Sequence, residues 1–266
     1  MFTFFFFLQV AYNRVGLTQY FKHRDVLQQL MQQQAWYQDH NVTVYLGDQV
    51  TAINHKEKTV TSNKGKIISY DYCIISTGST AVVPTGMPGL ESSGVFVYRT
   101  IDDLDSMINY SRTCKKAAVV GGGLLGLEAA KAAKDLGLDV TVFDRSNRLM
   151  SRQLDVDGSR VMQAEIEKLG ISVVVSNSPK EILHNNGSVT GLKLQDDTTV
   201  DTNVVVYAIG IRPRSDLASA SNIAIAQNGG VITDDYMQTS APDVFAIGEC
   251  VSHADITYGL VAPGYE

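Results

Sequence analysis

Two periods of apolar and polar residues alternate along the chain. Short β-branched runs bounded by turn residues predict strands, and apolar positions three or four apart predict helices. Val42–Tyr45 is a short strand. Val50–His55, Thr59–Ser62 and Lys66–Tyr70 are antiparallel strands, the last two joined by the hairpin turn Asn63-Lys64-Gly65. Tyr72–Ile75 reads as a buried strand ending in Ser76-Thr77-Gly78-Ser79. Pro84, Gly86, Pro88 and Gly89 mark a connection. Strands follow at Val173–Val175, Glu181–Leu183, Val189–Leu194 and Val204–Tyr207, with Asn185-Asn186-Gly187 as a turn, and at Val244–Ile247. Helical spacing covers Asp25–Asp39, through Val26, Leu27, Leu30 and Met31. It recurs in Thr100–Ser111, through Ile101, Leu104, Met107 and Ile108, and in Asp155–Leu169, stopped by Gly170. Ala11–Arg24 mixes aromatic and basic residues without a clean period, which suits a loop or a short helix.

Lys116–Arg145 organises the rest. An apolar run, Ala117–Val120, has the length of a buried parallel strand. Gly121, Gly123 and Gly126 then form G-x-G-x-x-G, and an Ala/Leu/Lys-rich segment from Leu124 to Leu136 has good helix propensity. Gly137 sits where that helix stops, and a second β-branched run, Val140–Phe143, ends in Asp144. This arrangement suits a dinucleotide. Gly121 allows the tight turn, Gly123 leaves room for a pyrophosphate, and Gly126 lets helix and sheet approach. The helix N-terminus faces the phosphates, and the Asp144 carboxylate is placed for ribose hydroxyls.

At 266 residues the chain suggests one large domain or two modest ones. Its formal net charge is −6 and no basic patch suggests nucleic acid. Cys73, Cys114 and Cys250 are far apart, with no C-x-x-C and no metal-ligand spacing. This sparse set fits a reducing compartment, so the expected location is cytoplasmic, with no membrane partner. Met1–Val10 is Phe-rich, too short to span a bilayer, and without the cationic start or cleavage site of a signal peptide.

Four separated motifs carry a family resemblance: Val119–Ala130, Ser76–Pro84, Tyr207–Arg214 and Thr239–Cys250. Together they resemble the FAD-dependent pyridine-nucleotide reductases, the two-dinucleotide-binding flavoproteins, over nearly all of the chain from Tyr12 on. Tyr12–Leu17, Arg152–Asp155, Gly248-Glu249-Cys250 and Tyr258–Gly264 are most similar to the flavoprotein portion of the large NAD(P)H-dependent assimilatory nitrite reductases. Most members of the family have G-D where this chain has Gly248-Glu249.

The resemblance implies an α/β, Rossmann-like fold with an NAD(P)H domain inserted in a discontinuous FAD domain. The expected boundaries are residues 1–10 as a doubtful apolar extension, 11–98 and 213–266 as the FAD-binding parts, and 99–212 as the NAD(P)H-binding domain. Gly121, Gly123, Gly126 and Asp144 would hold NAD(P)H, with Arg145 close to the ribose, and Glu128 would lie near the nicotinamide. Thr77, Gly78, Gly248 and Glu249 would line the FAD, Arg14 would sit by its nucleotide, and Gly210 ends the strand of the third motif. The implied reaction is hydride transfer to the flavin. A ferredoxin- or rubredoxin-reductase-like or NADH-oxidase-like flavoprotein, or an inactive nucleotide-binding fragment, would carry the same motifs. The family's first G-x-G-x-x-G is expected upstream of Tyr12, where only the Phe-rich segment stands, and its sirohaem and [4Fe-4S] domain well past Glu266. The sequence therefore reads as a middle piece, without its electron-acceptor domain or a metal site. Weak FAD binding, poor solubility and an uncovered apolar sheet face are expected.

Overall fold

The computed structural model describes residues 1–5 and 8–257; the Tyr258–Gly264 motif lies outside them. Strand β1 (Phe2–Phe5) precedes helices α1 (Leu17–His23) and α2 (Gln34–Asp39). Strands β2 (Thr43–Leu46), β3 (Val50–Asn54), β4 (Thr59–Ser62), β5 (Ile67–Ser69), β6 (Cys73–Ile75), β7 (Ser79–Ala81) and β8 (Val95–Val97) come next. A second stretch runs through α3 (Ile101–Ser111), β9 (Lys116–Val120), α4 (Leu124–Asp135), β10 (Asp139–Phe143), α5 (Val156–Lys168) and β11 (Ile171–Val174). It continues through β12 (Pro179–Asn185), β13 (Ser188–Leu194), β14 (Thr199–Asp201), β15 (Val204–Tyr207) and β16 (Ile211–Pro213). Helix α6 (Asp216–Ala220) and strands β17 (Val231–Thr233), β18 (Val244–Ala246), β19 (Val251–His253) and β20 (Ile256–Thr257) complete the described chain.

The backbone divides into two compact units. The first holds Met1–Asn13, Leu27–Thr80 and the chain from Ile211 on; the second holds Arg14–Val26 and Ala81–Gly210.

The second unit is built on a five-stranded sheet in the order β11-β10-β9-β15-β8, parallel at every pairing. Its central strands carry almost only β-branched and small apolar residues because both faces are covered. Val119, Val140, Val142 and Val204–Val206 are fully buried. Helix α4 packs on β9 and β10, with Ala129, Ala130, Ala132 and Ala133 wholly buried. These small side chains bring the helix close to the sheet. The antiparallel ribbon β12-β13-β14 covers another part of this core through Ile182, Leu192 and Leu194, which cluster with Phe143 and Tyr207. Thr100 and Asp103 form a reciprocal capping box at the start of α3.

The first unit contains two parallel pairs, β1-β2 and β6-β18, and the antiparallel ribbon β3-β4-β5 foreseen from the sequence. Its core gathers Ile53, Val60, Ile75, Val244, Ala246 and Val251, with Phe4 packed against it. The Phe-rich segment is thus ordered at its start: Phe2–Phe5 pairs with Thr43–Leu46, and Phe4 stacks on Tyr45 at 4.8 Å between ring centroids.

Two expectations are corrected here. Asp25–Asp39 is not one helix. A 3-10 turn at Val26–Gln29 is followed by pairing with the segment before α1, and only Gln34–Asp39 is α-helical. The Asn13 amide donates to the Gln29 carbonyl and the Met31 amide to the Ala11 carbonyl. This pairing takes the backbone groups a continuous helix would need. Nor is Tyr72–Ile75 buried on both faces. Ile75 enters the core, but Tyr72 is 70% and Ile74 61% exposed. Successive side chains of a strand point to opposite faces, and only the Cys73/Ile75 face meets the core. Ile247, in line with Phe245 along the adjoining chain, is also exposed, so among the described residues none covers this apolar face.

Candidate functional site: two glycine turns

In the second unit, β9 and β15 run parallel, and their C-terminal ends, Val120 and Tyr207, lie in register. Gly121 follows β9 with φ +117°. A Cβ there would strike the Ala208 carbonyl oxygen, so only glycine makes this turn. Gly126 packs against the Gly121 carbonyl, again leaving no room for a side chain. Gly123 is the opposite case. It caps α4 without any side-chain hydrogen bond, and a Cβ built on it meets nothing within 4 Å. Space therefore opens before the first turn of a 12-residue helix whose leading N–H groups have no side-chain cap. Exposed N–H groups at a helix start suit an anion. Gly210, with φ +125°, also borders open space.

Asp144 is fixed by backbone. Its Oδ2 accepts from the Gly122 amide at 2.6 Å and its Oδ1 from the Ser146 amide at 2.7 Å. Each oxygen keeps a second acceptor position. Arg145 is exposed, whereas Arg148 is partly buried and donates to the Ser151 carbonyl.

Glu128 lies on α4, half-buried. Burial pushes its carboxyl pKa up, and a hydrogen bond with Thr18 partly offsets this. Thr18 lies 3.2 Å from the hydroxyl of Tyr98, which is 3% exposed and stacks on Phe21. No local pattern signals this cluster, because Thr18 and Tyr98 are 80 residues apart in the chain.

In the first unit, the parallel strands β6 and β18 end together, and the Ile247 amide donates to the Ile75 carbonyl. Both strand ends lead into positive-φ glycines, Gly78 at +69° and Gly248 at +79°, where a Cβ would meet nothing within 4 Å. The Thr77 hydroxyl donates to the Arg214 carbonyl at 2.5 Å. The Ser79 hydroxyl donates to Glu249 Oε2 at 2.7 Å. Ser79 is buried, and it orients the carboxylate that sequence reasoning singled out. Neither glycine is hemmed in by a neighbouring atom. Thr77, Gly78, Gly248 and Glu249 thus share one unit; Gly121, Gly123, Gly126, Glu128, Asp144, Arg145 and Gly210 share the other. Arg14 belongs to the latter, just before α1.

A parallel sheet with a glycine turn at its switch point in one unit, and a second pair of glycine turns in the other, are the parts of a two-dinucleotide-binding fold. Residues 9–262 match the pyridine nucleotide-disulphide oxidoreductase model, and the chain belongs to that family. It is 40% identical to a nitrite reductase [NAD(P)H] of Emericella nidulans over 97% of its own length and 24% of that protein. It is 38% identical to the nitrite reductase (NADH) large subunit of Escherichia coli, over 97% of the chain and 30% of that subunit. The chain therefore spans less than a third of these relatives. Among solved structures, a ferredoxin reductase from Rhodopseudomonas palustris superposes with a TM-score of 0.89 at 25% identity, covering 95% of this chain and 62% of the other.

Proposed function

We propose that this chain takes hydride from NAD(P)H onto FAD, as the electron-input module of a nitrite reductase that converts nitrite to ammonia. The observation that carries this reading is the Gly121–Gly126 turn, which opens onto free space at an uncapped helix start. In this reading Gly121, Gly123 and Gly126 bind the coenzyme pyrophosphate, Asp144 takes the ribose, Arg145 stands beside it, and Glu128 orients the nicotinamide. Thr77, Gly78, Gly248 and Glu249 hold FAD. Arg14 contributes to the FAD nucleotide and Gly210 to the approach of backbone to ligand. We keep 213–266 and most of 11–98 for FAD and 99–212 for NAD(P)H, and add β8 to the latter because it pairs with β15 in its sheet. When bound, the flavin supplies the hydride acceptor, and the protein binds and orients.

The cysteines support a direct flavin route. All three are free thiols. Burial pushes Cys73 up to about 11 and raises Cys114, so both are held away from the thiolate that disulfide exchange needs. Among the described residues no group of three or more His, Cys, Asp or Glu could hold a metal ion. Among the described residues no helix is long and apolar enough to cross a membrane. A cytoplasmic site of action accords with the free cysteines. Reading the acceptor as a ferredoxin-like protein instead rests on the structural likeness to the ferredoxin reductase. The two readings share the NAD(P)H half-reaction.

The test is anaerobic addition of NADH to the protein with excess FAD, followed by the flavin absorbance. Bleaching in wild type and none in Gly123→Val supports the reading. Equal bleaching in both contradicts it.

A further inference from the structure

Strands β6 and β18 run parallel and end together, with Ile75 paired to Ala246. Each leads through a positive-φ glycine, Gly78 or Gly248, into a polar side chain, Ser79 or Glu249. Ser79 and Glu249 are 170 positions apart in the chain, yet the Ser79 hydroxyl donates to Glu249 Oε2 at 2.7 Å. The donor is 5% exposed.

Both ends of this contact are held from behind. The Thr77 hydroxyl donates to the Arg214 carbonyl, and the Arg214 amide donates to the Gly78 carbonyl at 2.9 Å, so the backbone of one residue grips the first turn twice. On the other side Cys250 follows Glu249 and is wholly buried, its Sγ 3.2 Å from the Ile247 carbonyl. The Ile247 amide donates to the Ile75 carbonyl at 2.9 Å, which ties the second turn to the strand that carries the first. The hydroxyl therefore meets the carboxylate from a fixed backbone. A glutamate side chain otherwise keeps the rotamer freedom of a long chain. A hydroxyl bond to a charged oxygen is among the stronger ones. A carboxylate accepts at about four positions, so holding Ser79 is compatible with holding a ligand hydroxyl as well.

We propose that Ser79 is a positioning residue: its hydroxyl holds the Glu249 carboxylate in one direction, where it accepts from hydroxyls of FAD. This rests on the reading of the Gly78 and Gly248 turns as parts of the FAD site. The chemistry selects hydroxyls, because a carboxylate needs a donor and is repelled by a pyrophosphate. Held this way, Glu249 is already ordered before the flavin arrives, and that ordering does not weigh against binding.

Two measurements on the full chain test this. The first needs no flavin. It is the carbon-13 resonance of the Glu249 carboxyl in glutamate-labelled protein, identified as the one lost in Glu249→Gln. It should move in Ser79→Ala, because the donor to Oε2 is gone. The second is FAD affinity, read from the change in flavin absorbance as FAD is added to excess. Ser79→Ala should weaken binding about fivefold, the size of one hydrogen bond. In a Glu249→Ala background the same substitution should change nothing, since Ser79 acts only through that carboxylate. A loss that persists without Glu249 gives Ser79 a merely structural role and overturns the proposal. So does an unmoved carboxyl resonance in folded Ser79→Ala. If either variant does not fold, as judged by circular dichroism, Ser79→Cys, a weaker donor of similar size, and Glu249→Leu, which removes the charge and keeps the bulk, take their places. No FAD binding by wild type overturns the flavin reading, and with it the role assigned to Ser79, while the carbon-13 result still decides whether the Ser79–Glu249 contact exists.

Discussion

Gly126 packs directly against the carbonyl oxygen of Gly121, five residues earlier, with no space for even a methyl group between them. This contact sets how closely α4 approaches β9, and with it the position of the turn that would cradle a pyrophosphate. Gly126→Ala should destabilise the protein by about 1–3 kcal/mol, as overpacking does. It should also lower NADH affinity. Thermal melting and an NADH titration of the same sample check both effects.

Asp144 has two structural partners besides any ligand, the amides of Gly122 and Ser146. Asp144→Ala leaves both without their acceptor, at about 1–3 kcal/mol for each that stays buried. It also removes the charge that repels a 2′-phosphate. The variant should therefore melt earlier and shift toward NADPH, with Arg145 available to the phosphate. Asp144→Asn, which keeps an acceptor oxygen, should lose less stability. Melting curves and the ratio of NADH to NADPH affinities measure this. An unchanged ratio removes Asp144 from the ribose site.

Glu128 gives a pH signature. Its folded pKa is raised, first by burial, above the ordinary glutamate value. A raised carboxyl contributes stability that is full below the unfolded pKa and is lost as pH rises through the folded one. Glu128→Gln removes that loss and can still accept from Thr18. Its melting temperature should therefore exceed that of wild type near neutrality and converge with it in acid. A variant less stable than wild type at neutral pH contradicts the assignment.

The uncovered face of β6 and β18 predicts adhesion. Tyr72, Ile74 and Ile247 present apolar surface to solvent. Such surface should bind a hydrophobic dye and promote association. Ile74→Ser should reduce dye binding and raise solubility, with little change in melting temperature, because the side chain is 61% exposed. A substantial fall in melting temperature would mean that Ile74 is covered.

The glycine turn at Gly121–Gly126 was legible in the sequence because its parts are local. Strand, glycines, helix and Asp144 follow one another within thirty residues, and Gly121 and Gly126 answer steric demands of the turn itself. The β3-β4-β5 ribbon was legible for the same reason, through its turn. What stayed hidden depends on distant contacts. The break in Asp25–Asp39 comes from pairing with Ala11 and Asn13, which helical spacing cannot register. β8, β17 and β19 are three residues each, too short for a period to emerge. Ser79 and Thr18 gain their significance from partners 170 and 80 residues away. The exposure of Ile74 depends on what covers a sheet face, and a β-branched run reads the same whether one face or both are packed.

The central claim is that the turn from Gly121 to Gly126 is a pyridine-nucleotide site, and calorimetric titration of NADH into wild type and Gly123→Val tests it most directly. A Cβ at Gly123 meets no protein atom within 4 Å, so the substitution should leave the fold and its melting temperature nearly intact while its side chain enters the space for the pyrophosphate. The account predicts one NADH per chain in wild type and no measurable heat of binding in a folded Gly123→Val. Equal affinity in the two proteins would contradict it.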